Sequence, residues 1–181
     1  MRSQSRSPRM WGVTVAGLCV LWFVNPAGAI PLESWDGKIP NANQRFKVLP
    51  EFNNEAVLDK ETGLVWEQTA RDDHYHWGDA QLVCTQQTTG GRKAWRLPSV
   101  HELASLLDPS VSQPLGLPLG HPFTIPNLGV SQFWSATSYA AAPDFAWEVT
   151  IGTTSVGTAG KQNNIRRAWC VRGGQNHGDA Y

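Results

Sequence analysis

Basic residues are the side chains of this 181-residue chain best suited to bind a ligand. Arg92, Lys93 and Arg96 lie close together in the sequence. A second basic group, near the C-terminus, consists of Arg166, Arg167 and Arg172. Guanidinium groups bind sulfate and carboxylate groups through paired hydrogen bonds. The sequence therefore predicts an anion-binding patch, with an ordinary solvated surface as the alternative. Because neighbouring residues of a strand point to opposite faces, Arg166 and Arg167 cannot both join one patch.

Tryptophan is the second candidate, because the chain has nine tryptophans and such rings fill cores or recognition surfaces. Trp134 and Trp147 lie on predicted strands, where each ring could stack on a sugar or line the core. Trp35 precedes the predicted domain. Four others are predicted to fill the core, namely Trp66, Trp77, Trp95 and Trp169.

Two further constellations suggest chemistry that the sequence supports poorly. His74 and His76 follow Asp72-Asp73 and could approach a divalent metal, but a solvated loop before a helix explains them better. Three serines and two histidines suggest a hydrolase, namely Ser131, Ser135, Ser138, His101 and His121. The chain lacks the Gly-x-Ser-x-Gly elbow of such enzymes. We expect no metal, no other cofactor and no enzymatic activity.

Residues 1–29 are predicted to be a signal peptide. Three arginines precede an uncharged run over 10–24, and Ala27-Gly28-Ala29 fits a cleavage site. That run is shorter than the roughly 20 residues that span a bilayer, which disfavours an uncleaved membrane anchor. Lipid attachment at Cys19 is disfavoured because Leu18 stands where a small residue belongs. We expect an exported protein that is periplasmic, secreted or located at the cell surface.

Cleavage would change the charge and the cysteine count. The whole chain has 15 basic and 15 acidic residues, and losing three arginines leaves 12 basic residues against 15 acidic ones. This balance argues against a strongly basic nucleic-acid binder. Cys84 and Cys170 would remain, and an even pair in an exported protein indicates a disulfide, with two buried thiols as the alternative.

The elements that would position these residues indicate one α+β domain. Residues 30–54 form a proline-bearing lead-in expected to be irregular, and a hairpin is predicted over 56–66. Helices are predicted from Trp77 to about Gln87 and after Ser99, where Glu102 completes a capping box. A Pro/Gly-rich loop, 109–132, precedes strands predicted at 133–140, 145–151 and 165–171. Residues 174–181 are expected to be a flexible tail.

Five motifs in order resemble the Lcl C-terminal domain family, named from a bacterial collagen-like adhesin and placed in the C-type-lectin-like superfamily. The motifs are Thr62-Gly63-Leu64-Val65-Trp66, Trp77-Gly78-Asp79-Ala80 with Cys84, Trp95-Arg96-Leu97-Pro98 with Glu102-Leu103, Phe133-Trp134-Ser135-Ala136-Thr137 and Trp169-Cys170-Val171-Arg172. The resemblance implies a domain over 55–173 with two helices packed on short, mostly antiparallel strands. It also implies a Cys84–Cys170 disulfide and a ligand-bearing position for loop 109–132.

The same resemblance implies an exported, non-enzymatic binding module. The adhesin's domain is associated with sulfated glycosaminoglycans, so a carbohydrate or glycosaminoglycan is the expected ligand. Loop 109–132 lacks the Glu-Pro-Asn pattern of calcium lectins, so binding is expected without calcium. The Arg96 and Glu102 motif also resembles formylglycine-generating enzymes, but both cysteines are expected in the disulfide.

The predicted ligand-binding residues are Arg92, Lys93, Arg96, Trp134, Trp147, Arg166 and Arg167. The alternative function is a protein-interaction or structural module of a cell-surface assembly, with a surface protein as partner. We expect neither a nucleic-acid partner nor a membrane span after signal cleavage.

Overall fold

Two β-sheets carry the fold in the computed structural model, which describes residues 39, 41–108, 110–111, 116–126 and 130–174. Sheet one has the order β1-β2-β3-β9 and is antiparallel throughout. Its strands are β1 (Phe46–Val48), β2 (Ala56–Asp59), β3 (Leu64–Glu67) and β9 (Val171–Arg172). Strand β9, near the end of the domain, thus pairs with a sheet whose other strands, β1 to β3, come from its beginning.

Sheet two has the order β4-β8-β5-β6-β7. Its strands are β4 (His74–Tyr75), β5 (Ser131–Ser138), β6 (Phe145–Ile151), β7 (Ser155–Gly160) and β8 (Arg166–Arg167). Neighbouring strands are antiparallel except β5 and β8, which run parallel where Phe133 faces Arg167. The α+β class with mostly antiparallel strands is confirmed.

Among the described residues, three α-helices accompany the sheets: α1 (Ala42–Arg45), α2 (Trp77–Thr85) and α3 (Val100–Ser105). Both predicted helices are present. At the start of α3, the Ser99 hydroxyl accepts from the Glu102 N–H, and the Glu102 carboxylate accepts from the Ser99 N–H. The capping box therefore sets the start of α3, as the sequence predicted.

The predicted irregularity of residues 30–54 is wrong for the part that the structure describes. This part contains α1, β1 and a 3-10 turn at Pro50–Phe52. Strand β1 forms because β2 offers it a partner, with Phe46 opposite Asp59 and Val48 opposite Val57. A three-residue strand carries too little local pattern to be recognised without that partner.

One of the predicted later strands was only partly placed, and one strand was missed. The strand expected over 165–171 is divided between β8 in sheet two and β9 in sheet one. Strand β7 was not predicted, because Ser155-Val156-Gly157-Thr158-Ala159-Gly160 contains few strand-forming residues. A hairpin turn from β6 places it at the sheet edge nonetheless.

Two hydrophobic clusters form the core, one on each face of sheet two. Phe133 and Val149 face each other across β5 and β6 and belong to the first cluster, which includes Leu103 of α3. Trp134 and Ala146 point to the other face and belong to the second cluster. Strand alternation therefore distributes neighbouring residues between two cores.

The described part of loop 109–132 packs into the first cluster. Leu117, Phe123 and Ile125 are buried there, and the Ala70 N–H donates to the Thr124 carbonyl. Strand β5 begins at Ser131, inside the predicted loop. This segment has a structural role in addition to any ligand contact.

Cys84 of α2 and Cys170 beside β9 form a disulfide, which confirms the predicted pairing. Both residues are fully buried in the second cluster. No helix among the described residues is long and apolar enough to cross a membrane. The predicted signal peptide at 1–29, Trp35 and residues 175–181 of the predicted tail lie outside the described part of the chain.

Candidate ligand-binding site

The segment from Arg92 to Arg96 lies against strand β9 and brings two groups of basic residues together. Arg96 and Val171 exchange both backbone hydrogen bonds at 2.9 Å. One residue beyond Val171, the Arg172 Nε–H donates to the Lys93 carbonyl at 3.0 Å. Arg172, placed by the sequence in the C-terminal basic group, therefore lies beside Arg92 and Lys93.

A single aromatic ring forms the floor beneath two of these cations. The guanidinium carbons of Arg92 and Arg172 lie 5.6 and 5.9 Å from the centre of the Phe52 ring. Phe52 itself is buried and meets the Trp95 ring edge-on at 6.4 Å. We call Arg92, Lys93 and Arg172, with Phe52 beneath them, the basic patch.

Gly90 allows the chain to pass this close to Phe52. Its φ of +62° is unfavourable for a residue with a side chain, and an added Cβ would lie 2.6 Å from the Phe52 Cβ. The Gly90 N–H donates to the Glu55 carboxylate at 2.7 Å, which ties the segment to the start of β2. The patch is therefore held by backbone and packing contacts that leave its charged groups free.

The Trp95 indole stabilises the backbone of the basic patch from the core side. Its Nε1–H donates to the Arg92 carbonyl at 3.0 Å, and the ring is buried in the second cluster. Ala94, between Lys93 and Trp95, has a φ of +67°, a strained value for a residue with a side chain. Trp95 thus fixes the backbone that displays Arg92 and Lys93.

Carboxylates pair with five of the seven arginines in the described residues. The pairs are Arg45–Asp59, Arg71–Glu67, Arg96–Glu102, Arg166–Glu148 and Arg167–Asp72. Arg92 and Arg172 make no ion pair within the described part of the chain, nor does Lys93. Their charges remain available to an external anion.

Two residues of the predicted site, Arg166 and Arg167, are among the arginines paired with carboxylates. Arg166 is held by Glu148, and Arg167 is buried beside Asp72 with 3.0 Å between charged atoms. Their role is to link strands of sheet two and its flanking segment. Their charges are balanced within the fold, unlike those of Arg92 and Arg172, and ligand binding by Arg166 or Arg167 stays a prediction.

A sequence model of the Lcl C-terminal domain family matches residues 55–172, which is more than half of the chain. The chain belongs to the Lcl C-terminal domain family. No curated protein and no solved structure matches it. The match confirms the family indicated by the five sequence motifs.

The region matched by the Lcl C-terminal domain model includes all three cations of the basic patch but not the Phe52 ring beneath them. Phe52 lies three residues before the matched region. Phe52 could not be recognised from the sequence as part of the site, because it falls in the lead-in that was predicted to be irregular. The predicted disulfide could have indicated that Arg172 lies near the first basic group. Cys170 is two residues before Arg172, and its partner Cys84 is close in sequence to Arg92 and Lys93.

Arg96 supports the Lcl C-terminal domain from beside the patch. Its guanidinium donates to both Glu102 oxygens at 2.8 and 2.6 Å and to the Gly173 carbonyl at 2.7 Å. Burial alone would raise the pKa of Glu102, but hydrogen bonds from Arg96 and Ser99 and the Arg96 charge outweigh it and lower the pKa. Arg96 therefore acts as a structural tie between α3 and the end of β9.

We expect this ion pair to give the domain an acid-sensitive contribution to stability. A carboxyl whose pKa is lowered by folding stabilises the fold above its ordinary pKa, here 4.5, and loses that contribution as the pH falls through its folded-state pKa. The melting temperature of Glu102→Gln, measured from neutral to acid pH, should therefore fall less steeply than that of the wild type. Glu51→Gln, at an exposed position, is the control, and an unchanged slope in Glu102→Gln would contradict the expectation.

The tryptophans divide between core and partial exposure. Trp66, Trp95 and Trp169 are buried as predicted, whereas Trp77 is half-buried, with its Nε1–H donating to the Ser135 carbonyl. Trp134 is also fully buried, and its Nε1–H donates to the Tyr75 carbonyl at 2.8 Å. The prediction that Trp134 belongs to a ligand-binding surface is therefore corrected, because its ring is closed to a ligand.

Trp147 remains partly accessible but lies away from the basic patch in the fold. It packs against the first core cluster and meets the Tyr139 ring edge-on at 5.3 Å, whereas Phe52 belongs to the second cluster. The structure does not join the two predicted ligand features into one site. Ligand stacking on Trp147 stays a prediction.

The alternative chemistries find little support in the described residues. No group of three metal-ligating side chains converges there, including around His74 and His76. The buried Ser135 hydroxyl donates to the Trp147 carbonyl at 2.8 Å. Burial lowers the pKa of His121, whose Nδ1 accepts from the Phe123 N–H. These groups satisfy backbone partners within the fold.

Proposed function

We propose that this Lcl C-terminal domain is an exported, adhesin-like binding module that recognises an anionic glycan through the basic patch. The observation that carries the proposal is the charge balance of the arginines. Where five arginines have an internal carboxylate, Arg92 and Arg172 have none among the described residues and share one aromatic floor. Sulfate and carboxylate groups on a sugar chain fit this arrangement.

The patch is suited to sulfate because its donors have fixed directions. Arg172 is oriented by the bond from its Nε to the Lys93 carbonyl, and its terminal nitrogens make no hydrogen bond within the described residues. Holding a guanidinium in place before binding reduces the entropy lost when the ligand arrives. Lys93 adds a flexible positive charge at the same position.

The proposal includes calcium-independent binding, export and a C-type-lectin-like fold for the domain. The family and the buried Cys84–Cys170 disulfide support export, because disulfides persist in oxidising compartments. Calcium independence follows from a patch made of cations, which repels a divalent metal. The same module acts without enzymatic chemistry.

Binding to immobilised heparin and to its desulfated form tests the proposal. We expect the double variant Arg92→Ala/Arg172→Ala to bind heparin roughly 100-fold more weakly than the wild type, because each hydrogen bond to a charged group contributes about 1.5–3 kcal/mol. The wild-type affinity should fall as salt rises and should be insensitive to a calcium chelator.

The matched control is Lys47→Ala/Lys60→Ala, which removes the same net charge at exposed positions of β1 and of the turn between β2 and β3. Its heparin affinity should stay within a few-fold of the wild type. An equal loss in both double variants would show that net charge, and not the patch, governs binding. No retention of the wild type at low salt would refute the proposed ligand class, and a protein captured from a surface extract in its place would favour the protein-interaction alternative.

A further inference from the structure

Strand β7 is an open edge of sheet two. It pairs with β6 through six consecutive residue pairs, from Thr150 opposite Ser155 to Phe145 opposite Gly160. On its other side, β7 has no strand partner among the described residues. An unpaired strand edge presents backbone donors and acceptors to any extended chain that reaches it.

The hydrogen-bond pattern identifies the groups that face outward. The Lys161 N–H donates to the Asp144 carbonyl at 2.9 Å, and hydrogen-bonded pairs alternate along an antiparallel ladder. Gly157 and Ala159 therefore direct their backbone groups to β6, whereas Val156, Thr158 and Gly160 direct theirs away from it. The Gly160 carbonyl accepts from the Asn164 N–H, and the backbone groups of Val156 and Thr158 have no partner within the described residues.

The composition of β7 offers no protection against pairing. Natural edge strands are commonly shielded by a lysine, a proline or a bulge. Ser155–Gly160 contains no charged residue and no proline, and its register with β6 has no shift. The edge is therefore chemically open to another strand.

We propose that β7 pairs antiparallel with β7 of a second copy, joining two sheets into one across a twofold axis at Thr158. Outward-facing residues must meet each other, so Thr158 lies opposite Thr158 and Val156 opposite Gly160 of the second copy. The two Thr158 residues exchange both backbone hydrogen bonds, and these bonds hold the strand pair together. Gly160 contributes none, because it is buried and its carbonyl already accepts from the Asn164 N–H.

The side chains beside the edge favour a second copy as the occupant. Val156 and Phe145 are 45% and 41% exposed, which makes them unusual among the apolar residues of the sheet. The register places Val156 and Thr158 on the face that carries Phe145, opposite Val149 and Trp147 respectively. Gly160 is buried, because the Asn164 side-chain amide and the edge of the Phe145 ring lie over it, at 3.4 and 4.0 Å from the position of an added Cβ.

In the proposed register, Val156 of one copy approaches the Phe145 and Asn164 side chains that cover Gly160 of the other copy. The twofold axis repeats this contact, so both exposed Val156 and both exposed Phe145 side chains lose water contact together. The threonine pair at the axis is a favourable cross-strand pair. No like charges oppose the association, and the small area predicts a weak dimer.

A charge-swap experiment tests the twofold. Sedimentation velocity of the full chain, from about 10 µM to about 1 mM, should show the mass rising from one copy to two. Thr158 is exposed in the single copy, so Thr158→Lys and Thr158→Glu leave the fold intact while opposing like charges at the axis. Each variant alone should dimerise several-fold more weakly than the wild type, and an equimolar mixture should regain wild-type association.

The control is Thr153→Lys, which adds the same charge in the turn before β7, outside the paired residues. It should dimerise like the wild type. A wild-type chain that stays monomeric at about 1 mM would overturn the proposal and indicate that another segment or a foreign peptide covers the edge. Dimerisation of both Thr158 variants at wild-type strength, or failure of their mixture to associate, would overturn it as well.

Discussion

Replacing both cysteines by alanine is expected to lower the free energy of unfolding by about 4–5 kcal/mol at 25 °C in the chain-entropy model. The bridge closes a separation of 86 residues, from α2 to the end of the domain, and so restricts the unfolded chain strongly. Both cysteines are buried, and alanine preserves an apolar contact at each site. Urea unfolding of Cys84→Ala/Cys170→Ala against the oxidised wild type measures the loss.

The reduced wild type serves as the control for the alanine variant. Its unfolding free energy should match that of the variant to within about 1 kcal/mol, since both lack the same covalent restraint. Labelling of the native wild type should detect no reactive thiol at Cys84 or Cys170. Two accessible thiols, or equal stability with and without the bridge, would contradict the expectation.

The bridge also bears on the basic patch. Cys170 precedes Arg172 by two residues, and Cys84 lies on the helix that leads into the Gly90 to Arg96 segment. Backbone bonds between Arg96 and Val171 continue the attachment begun by the disulfide. Loss of the bridge should therefore weaken heparin binding along with stability.

Local features with a complete sequence signature were predicted well. The capping box at Ser99 and Glu102 contains its own hydrogen-bond partners within four residues, so α3 could be placed from the sequence. The hairpin of β2 and β3 has turn residues between two apolar runs and was likewise found. Such elements depend on nearby residues alone.

Elements that depend on distant partners could not be placed in this way. Strand β1 needs β2, and β8 and β9 separate because each follows a different sheet. Strand β7 is imposed by its hairpin with β6 despite two glycines and an alanine. Local propensity cannot report these long-range choices.

The sequence is also unable to show which basic residues of the binding site are paired with carboxylates. Sequence reveals where arginines are, but whether each is free depends on the carboxylate that the fold brings to it. Arg167 meets Asp72 across 95 positions, whereas Arg92 meets no carboxylate among the described residues. Separating free cations from paired ones therefore required the tertiary structure.

Removing the carboxylate of Asp59 is expected to destabilise the domain by about 3–5 kcal/mol, because it leaves a buried guanidinium without its main partner. Asp59 accepts from the Arg45 Nε and a terminal nitrogen at 2.9 and 2.7 Å, and both side chains are almost fully buried. Arg45 also donates to the Ser105 carbonyl at 2.9 Å, so the pair ties β2 to the end of α3.

A double-mutant cycle separates the ion pair from the rest of the turn. Asp59 also accepts from the Glu61 N–H and the Thr62 hydroxyl, contacts that Asp59→Asn can partly keep and Asp59→Ala cannot. Combining Asp59→Asn with Arg45→Met should cost clearly less than the sum of the single changes, because the second change removes a buried charge that the first leaves with only the Glu61 carboxylate, at 3.5 Å. Urea unfolding near neutral pH measures all three variants. Strict additivity would show that the charges contribute independently, and the buried pair would then not explain why α1, β2 and α3 remain together.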